Sequence, residues 1–133
     1  MPKLPKIYNV FLDNELFGTT QLEHGDAPMG VVFGVINFSD EVIGYDFIKE
    51  YCEEMGIELA SDYPEDQIIS TQTIPGLKVM NDKGVEIKGA GNQVAGMDGE
   101  QYEITIIGVP YPFYEEEFPQ HVKRYGEMFK DEK

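Results

Sequence analysis

At 133 residues the chain is long enough for one domain with a hydrophobic core of its own. Its 41% hydrophobic and 12% aromatic content is that of a folded protein, and a single cysteine excludes both an internal disulfide and a zinc cluster. The balance of 10 Lys+Arg against 25 Asp+Glu, net −15, argues against nucleic acid and anionic membranes as partners, because their phosphates would be repelled. The acid is uneven: residues 1–66 carry 3 basic and 14 acidic side chains, and residues 67–133 carry 7 and 11. No apolar run reaches membrane-helix length, and the opening "MPKLPKIYNV" lacks a signal-peptide core, so a cytoplasmic protein is expected.

In chain order, "IYNVFL" (7–12) and "ELFGTTQL" (15–22) have strand composition and are separated only by Asp13 and Asn14. Both of these residues tolerate positive φ, which predicts a tight hairpin. The loop "EHGDAPMG" follows, and then "VVFGVINF" (31–38), whose two apolar faces predict a central strand. From Ile43 the period changes, and Ile43, Phe47, Ile48, Tyr51 and Met55 define one face of a helix. Ser39 or Asp40 is its expected N-cap and Gly56 its stop.

Strand patterns resume at "QIISTQTI" (67–74), and a second hairpin is expected from "LKVM" and "VEIK" across "NDKG". The glycine-rich stretch 89–99 reads as a mobile connector to the strand "QYEITIIGV" (101–109). In that stretch Gly89 and Gly91 lack the third glycine of a dinucleotide fingerprint. Met97 and Asp98 stand where a P-loop needs Lys and Ser/Thr. Phe118, Val122, Tyr125 and Phe129 form a helical stripe, and Pro119 places the start of that helix near residues 115–118. Glu115, Glu116 and Glu117 then lie at the positive end of its dipole, and Lys123, Arg124 and Lys130 lie towards the other end.

The expected class is α+β, a single domain over 1–133. Its largely antiparallel sheet of six to seven strands carries two helices on one face. A duplicated strand-strand-strand-helix unit is read in halves 7–56 and 77–130. Its residue matches are Val10/Val79, Asp13/Asp82, Lys49/Lys123, Tyr51/Tyr125 and Glu53/Glu127.

Chemistry-bearing patterns are sparse. Glu23, His24 and Asp26 are a thin ligand set without an HxH, HExxH or cysteine partner, so neither a metal nor a cofactor is expected. Cys52 sits among Glu53 and Glu54, which disfavour a thiolate, and no GxSxG is present. Two candidate sites remain. Asp46, Glu50, Glu53 and Glu54 recur on the polar side of the first helix, and Glu58 continues the acid. Residues 40–66 hold ten acids against the single base Lys49. Such like-charge spacing destabilises a helix by a few tenths of a kcal/mol, and a docking face for a basic protein is a reason to carry that cost.

The second candidate is the turn "GVPYPFYEEEFPQHV" (108–122). Tyr111, Phe113 and Tyr114 could line a small-ligand pocket there, with Glu117 and His121 as polar groups at i, i+4. The primary expectation is a non-enzymatic interaction module. An immunity protein that neutralises a cationic nuclease toxin is one concrete form that size and charge suit. The alternatives are a ligand binder or minor enzyme built on the 108–121 turn, and a homo-oligomer joined through the two-sided apolar strand.

Overall fold

A computed structural model of the protein describes residues 6–128; Phe129 and Lys130 of the expected second helix lie outside them. The class is α+β. Among the described residues there are nine strands: β1 (Tyr8–Leu12), β2 (Glu15–Thr20), β3 (His24–Asp26), β4 (Val31–Phe38), β5 (Leu59–Tyr63), β6 (Ile68–Thr71), β7 (Leu77–Met80), β8 (Gly91–Met97) and β9 (Tyr102–Ile107). The helices are α1 (Tyr45–Met55), α2 (Phe113–Glu117) and α3 (Pro119–Met128). The sheet order is β5-β6-β8-β9-β4-β2-β1-β7, with β3 pairing the free start of β4. The β1–β2 turn has Asp13 at φ 50° and Asn14 at φ 71°, the double positive φ that a two-residue hairpin requires.

The strand count exceeds six to seven for local reasons. β3 is three exposed residues with no alternation, and β5 is an edge strand whose "LASDY" is half polar. The expected "VEIK" strand is reduced to one bridge, Met80 to Glu86. The stretch expected to be a mobile connector is instead β8, paired with β6 on one side and β9 on the other. Its glycines mark close approach rather than mobility. A Cβ on Gly96 would come within 2.6 Å of the Tyr102 ring, and one on Gly91 within 2.3 Å of the Thr73 hydroxyl.

Chain length forces the sheet to curl. β6 and β7 lie six strand spacings apart in the order, about 29 Å in a flat sheet. The six steps from Thr71 to Leu77 reach at most about 21 Å. The ends therefore fold towards each other, and the linker is stitched to β8. Ile74 N donates to Asn92 O at 3.0 Å, and Asn92 Nδ2 donates to Leu77 O at 2.6 Å. The enclosed face carries Val10, Val32, Ile69, Val79, Val94, Ile104 and Ile106, each no more than 1% exposed. Burial of each such side chain stabilises the fold by about 1.5–3 kcal/mol.

The helices do not share one face as expected: α1 closes this interior at one end of the strands, and α2 with α3 closes it at the other. At the end where β1 finishes, Tyr51 OH of α1 donates to Asp13 at 2.9 Å. At the end where β1 and β4 begin, Tyr8 OH donates to Glu117 and Tyr114 OH donates to Val31 O, both at 2.9 Å. α1 starts later than its expected cap because Gly44 is extended (φ −175°) and offers no side chain. The Asp98 carboxylate, from the β8–β9 turn, accepts from Tyr45 N at 2.9 Å instead. Gly56 ends α1 at φ 68°.

The second helix breaks into two. Pro119 lacks an N–H and holds Phe118 out of the helical region (φ −123°, ψ 54°). Val10 and Val79 face each other across β1 and β7, and Gly34 faces Ile104 across β4 and β9. The two halves differ in their helices: α1 is continuous, whereas the helix of the second half is split.

Candidate functional site

The buried side of α1 is Tyr45, Ile48 and Cys52, spaced i, i+3, i+7. This corrects the expected stripe: Phe47 is 37% exposed and Met55 56%. Tyr45 displaces them because its ring reaches inward and its hydroxyl finds Asp62 on β5. Burial pushes the Tyr45 phenol and the Cys52 thiol above their usual pKa values, which disfavours the anionic, nucleophilic form of each.

On the outer side Asp46, Glu50, Glu53 and Glu54 are exposed, and Glu58 follows them beyond Gly56. None of the five carboxylates has a hydrogen bond or ion pair among the described residues. Lys49, the single base of this stretch, is engaged elsewhere. Its Nζ lies 3.1 Å from Asp62 and donates to Tyr45 OH at 3.3 Å. The bond to Asp62 is the main cause that raises the Lys49 pKa, and the Tyr45 hydroxyl is the main cause that lowers that of Asp62. The cation therefore serves β5 and leaves the outer acids without a counter-charge.

The 108–121 turn divides its residues. Tyr111 is 48% exposed, its hydroxyl donating to Ala27 O at 2.7 Å, and Phe113 is partly buried. Tyr114 is fully buried, with Glu117 and His121 also inside. The i, i+4 pairing of Glu117 with His121 does not form, because the break at Phe118 turns them to different neighbours. Glu117 accepts from Tyr8 OH at 2.9 Å, Asn81 Nδ2 at 3.0 Å and Lys6 Nζ at 3.3 Å. His121 Nε2 lies 2.9 Å from Leu22 O. A carbonyl only accepts, so Nε2 carries the proton, and Nδ1 is left buried with no partner among the described residues.

Burial is the main cause that lowers the His121 pKa, with Arg124 and His24 adding to it and the Leu22 carbonyl opposing. A histidine depressed in the folded state binds its proton more readily when unfolded. Its contribution to stability is thus complete above pH about 6.5 and is lost as pH falls through the folded value. Urea unfolding of wild type beside His121→Leu is expected to show wild type losing stability between pH 7 and 5.5 more steeply than the variant. Equal slopes would contradict this.

The Glu23–His24–Asp26 set does not converge. His24 stacks on Phe33 with centroids 5.0 Å apart, and Glu23 Oε2 accepts from Val35 N at 3.3 Å, replacing a ladder bond where β2 gives way to β3. No group of three His, Cys, Asp or Glu side chains that could hold a metal occurs among the described residues. No helix among them is long and apolar enough to cross a membrane.

Two features escaped the sequence. Asn81 reads as a turn residue, which its Oδ1 bonds to Lys83 N and Val85 N bear out, but its Nδ2 also buries a bond to Glu117. An open groove also runs between the β1–β2 turn, the β4–α1 loop and the exposed flank of α1. Only the exposed Phe47 could have signalled it, and helical periodicity assigns that residue to the core.

Comparison of the chain with protein-family models, with curated proteins and with solved structures finds no match in any of the three.

Proposed function

We propose that this protein is a non-enzymatic binding module that docks a basic protein partner through the outer face of α1. The observation that carries the reading is the uncompensated charge. Asp46, Glu50, Glu53, Glu54 and Glu58 are exposed together, and the single local base is held by Asp62 and Tyr45. Solubility alone asks for dispersed charge, whereas ten acids against one base within residues 40–66 concentrate a negative field along that stretch. Such a field attracts a cationic surface, accelerates its encounter and rejects acidic competitors. Neutralising a cationic toxin enzyme in the cytoplasm, as immunity proteins do, is one role that fits this chemistry.

A photo-crosslinking residue at Glu50, compared with one at Glu115 near the opposite pole, tests the docking face in the living host. The expected result is a covalent adduct with a basic protein from position 50 only. Adducts from position 115 alone would move the site to the 108–121 turn and overturn the reading.

A further inference from the structure

The groove beside the acidic helix has a composition of its own. Leu16, Phe17, Val42, Ile43 and Phe47 form its apolar floor, and its volume is about 480 Å³. Leu16, Val42 and Phe47 are 50%, 72% and 37% exposed, so three of the exposed large apolar side chains among the described residues converge here. Scattered surface apolar residues need no explanation, but a convergent set in a concavity marks a contact surface. The rim is acidic: Asp13, Glu15 and Asp40 line it, and among the described residues no Lys, Arg or His does. Two of these carboxylates are held in place with an oxygen to spare. Asp13 Oδ2 accepts from Tyr51 OH at 2.9 Å, and Asp40 Oδ1 accepts from Val42 N at 3.0 Å. Phe47 and Glu50 lie one turn apart on α1, so the groove and the acidic face are continuous.

We infer that the groove receives a large apolar side chain from a basic polypeptide segment, flanked by Lys or Arg residues that meet Asp13, Glu15, Asp40 and Glu50. This deepens the docking reading above and rests on it. The floor supplies burial for one or two apolar side chains, the rim selects cationic flanks, and the outer face of α1 steers the approach. A second copy of this chain is the wrong occupant on charge grounds: each carries −15, and this region holds a large share of it.

The test titrates two synthetic probes, the hexapeptides KKLFKK and KKAAKK, into labelled protein and follows backbone amide shifts. The proteins are wild type, Leu16→Ser/Val42→Ser, and a variant with Asp46, Glu50, Glu53 and Glu54 all changed to Lys. The serine changes fall at half or more exposed positions, where folding is little affected. KKLFKK is expected to bind wild type about tenfold more tightly than KKAAKK, with shifts at Leu16, Val42 and Phe47, and to lose that advantage in the serine variant. Equal affinity for the two peptides, or no binding of either, overturns the groove assignment. If binding is equal and the lysine variant abolishes it, the acidic-face reading stands while the groove falls. If the lysine variant binds KKLFKK as wild type does, the acidic-face reading falls. A concentration-dependent dimer that the serine changes dissolve would give the groove to a second copy and also overturn the proposal.

Discussion

Replacing Glu117 with alanine is expected to lower the unfolding free energy by about 3–5 kcal/mol, measured by urea denaturation at neutral pH. The carboxylate accepts from two donors that water does not reach: Tyr8, 1% exposed, and Asn81, 7% exposed. Its loss strands both, and each orphaned buried donor costs about 1–3 kcal/mol. The Lys6 pair adds little, since the lysine side chain is 52% exposed and solvent screens the contact. Glu117→Gln keeps an acceptor for one of the donors, so about half of the loss is expected to return. The network joins the start of β1, the β7 turn and α2, so the alanine variant should also loosen the pole bearing α2 and α3 before the rest. A loss below about 1 kcal/mol would mean that water or another group satisfies Tyr8 and Asn81, contrary to the arrangement described.

That network also shows where sequence reasoning reached and where it stopped. Elements whose cause is local were legible. Asp13 and Asn14 announced their hairpin, Gly56 its helix stop, and "VVFGVINF" a strand with neighbours on both edges. Features whose cause is tertiary were not. β8 resembles a flexible loop because its glycines are there for Tyr102 and Thr73, which the sequence does not place beside it. Phe47 has the right spacing for the core, but Tyr45 takes that role once Asp62 is in reach.

Glu117 and His121 have the right spacing for a pair. The Pro119 break separates them, and their partners come from residues near 8, 81 and 22, far along the chain. The exposure of Asp46, Glu50, Glu53 and Glu54 on the outer face of α1 was legible, because charged residues on the polar side of an amphipathic helix need no tertiary information to be placed in solvent. The groove next to it depends on how the β1–β2 turn meets α1 and could be found only in three dimensions.

Charge reversal on that face is expected to have the largest functional effect. Changing Asp46, Glu50, Glu53 and Glu54 to lysine moves the net charge from −15 to −7 and turns the local field from attraction to repulsion. Because these side chains are exposed and make no hydrogen bond or ion pair among the described residues, the fold should survive the change. Association with a cationic partner should weaken by about a hundredfold or more, since like charge facing like charge costs several kcal/mol. Salt should reproduce part of the loss in wild type by screening exposed charges beyond about 10 Å.

The most direct measurement is capture from the native extract with wild type and the lysine variant side by side, at low and at high salt. The account predicts that one basic protein is retained by wild type alone and released as salt rises. A specific partner held equally by both versions, or held without regard to salt, would contradict it.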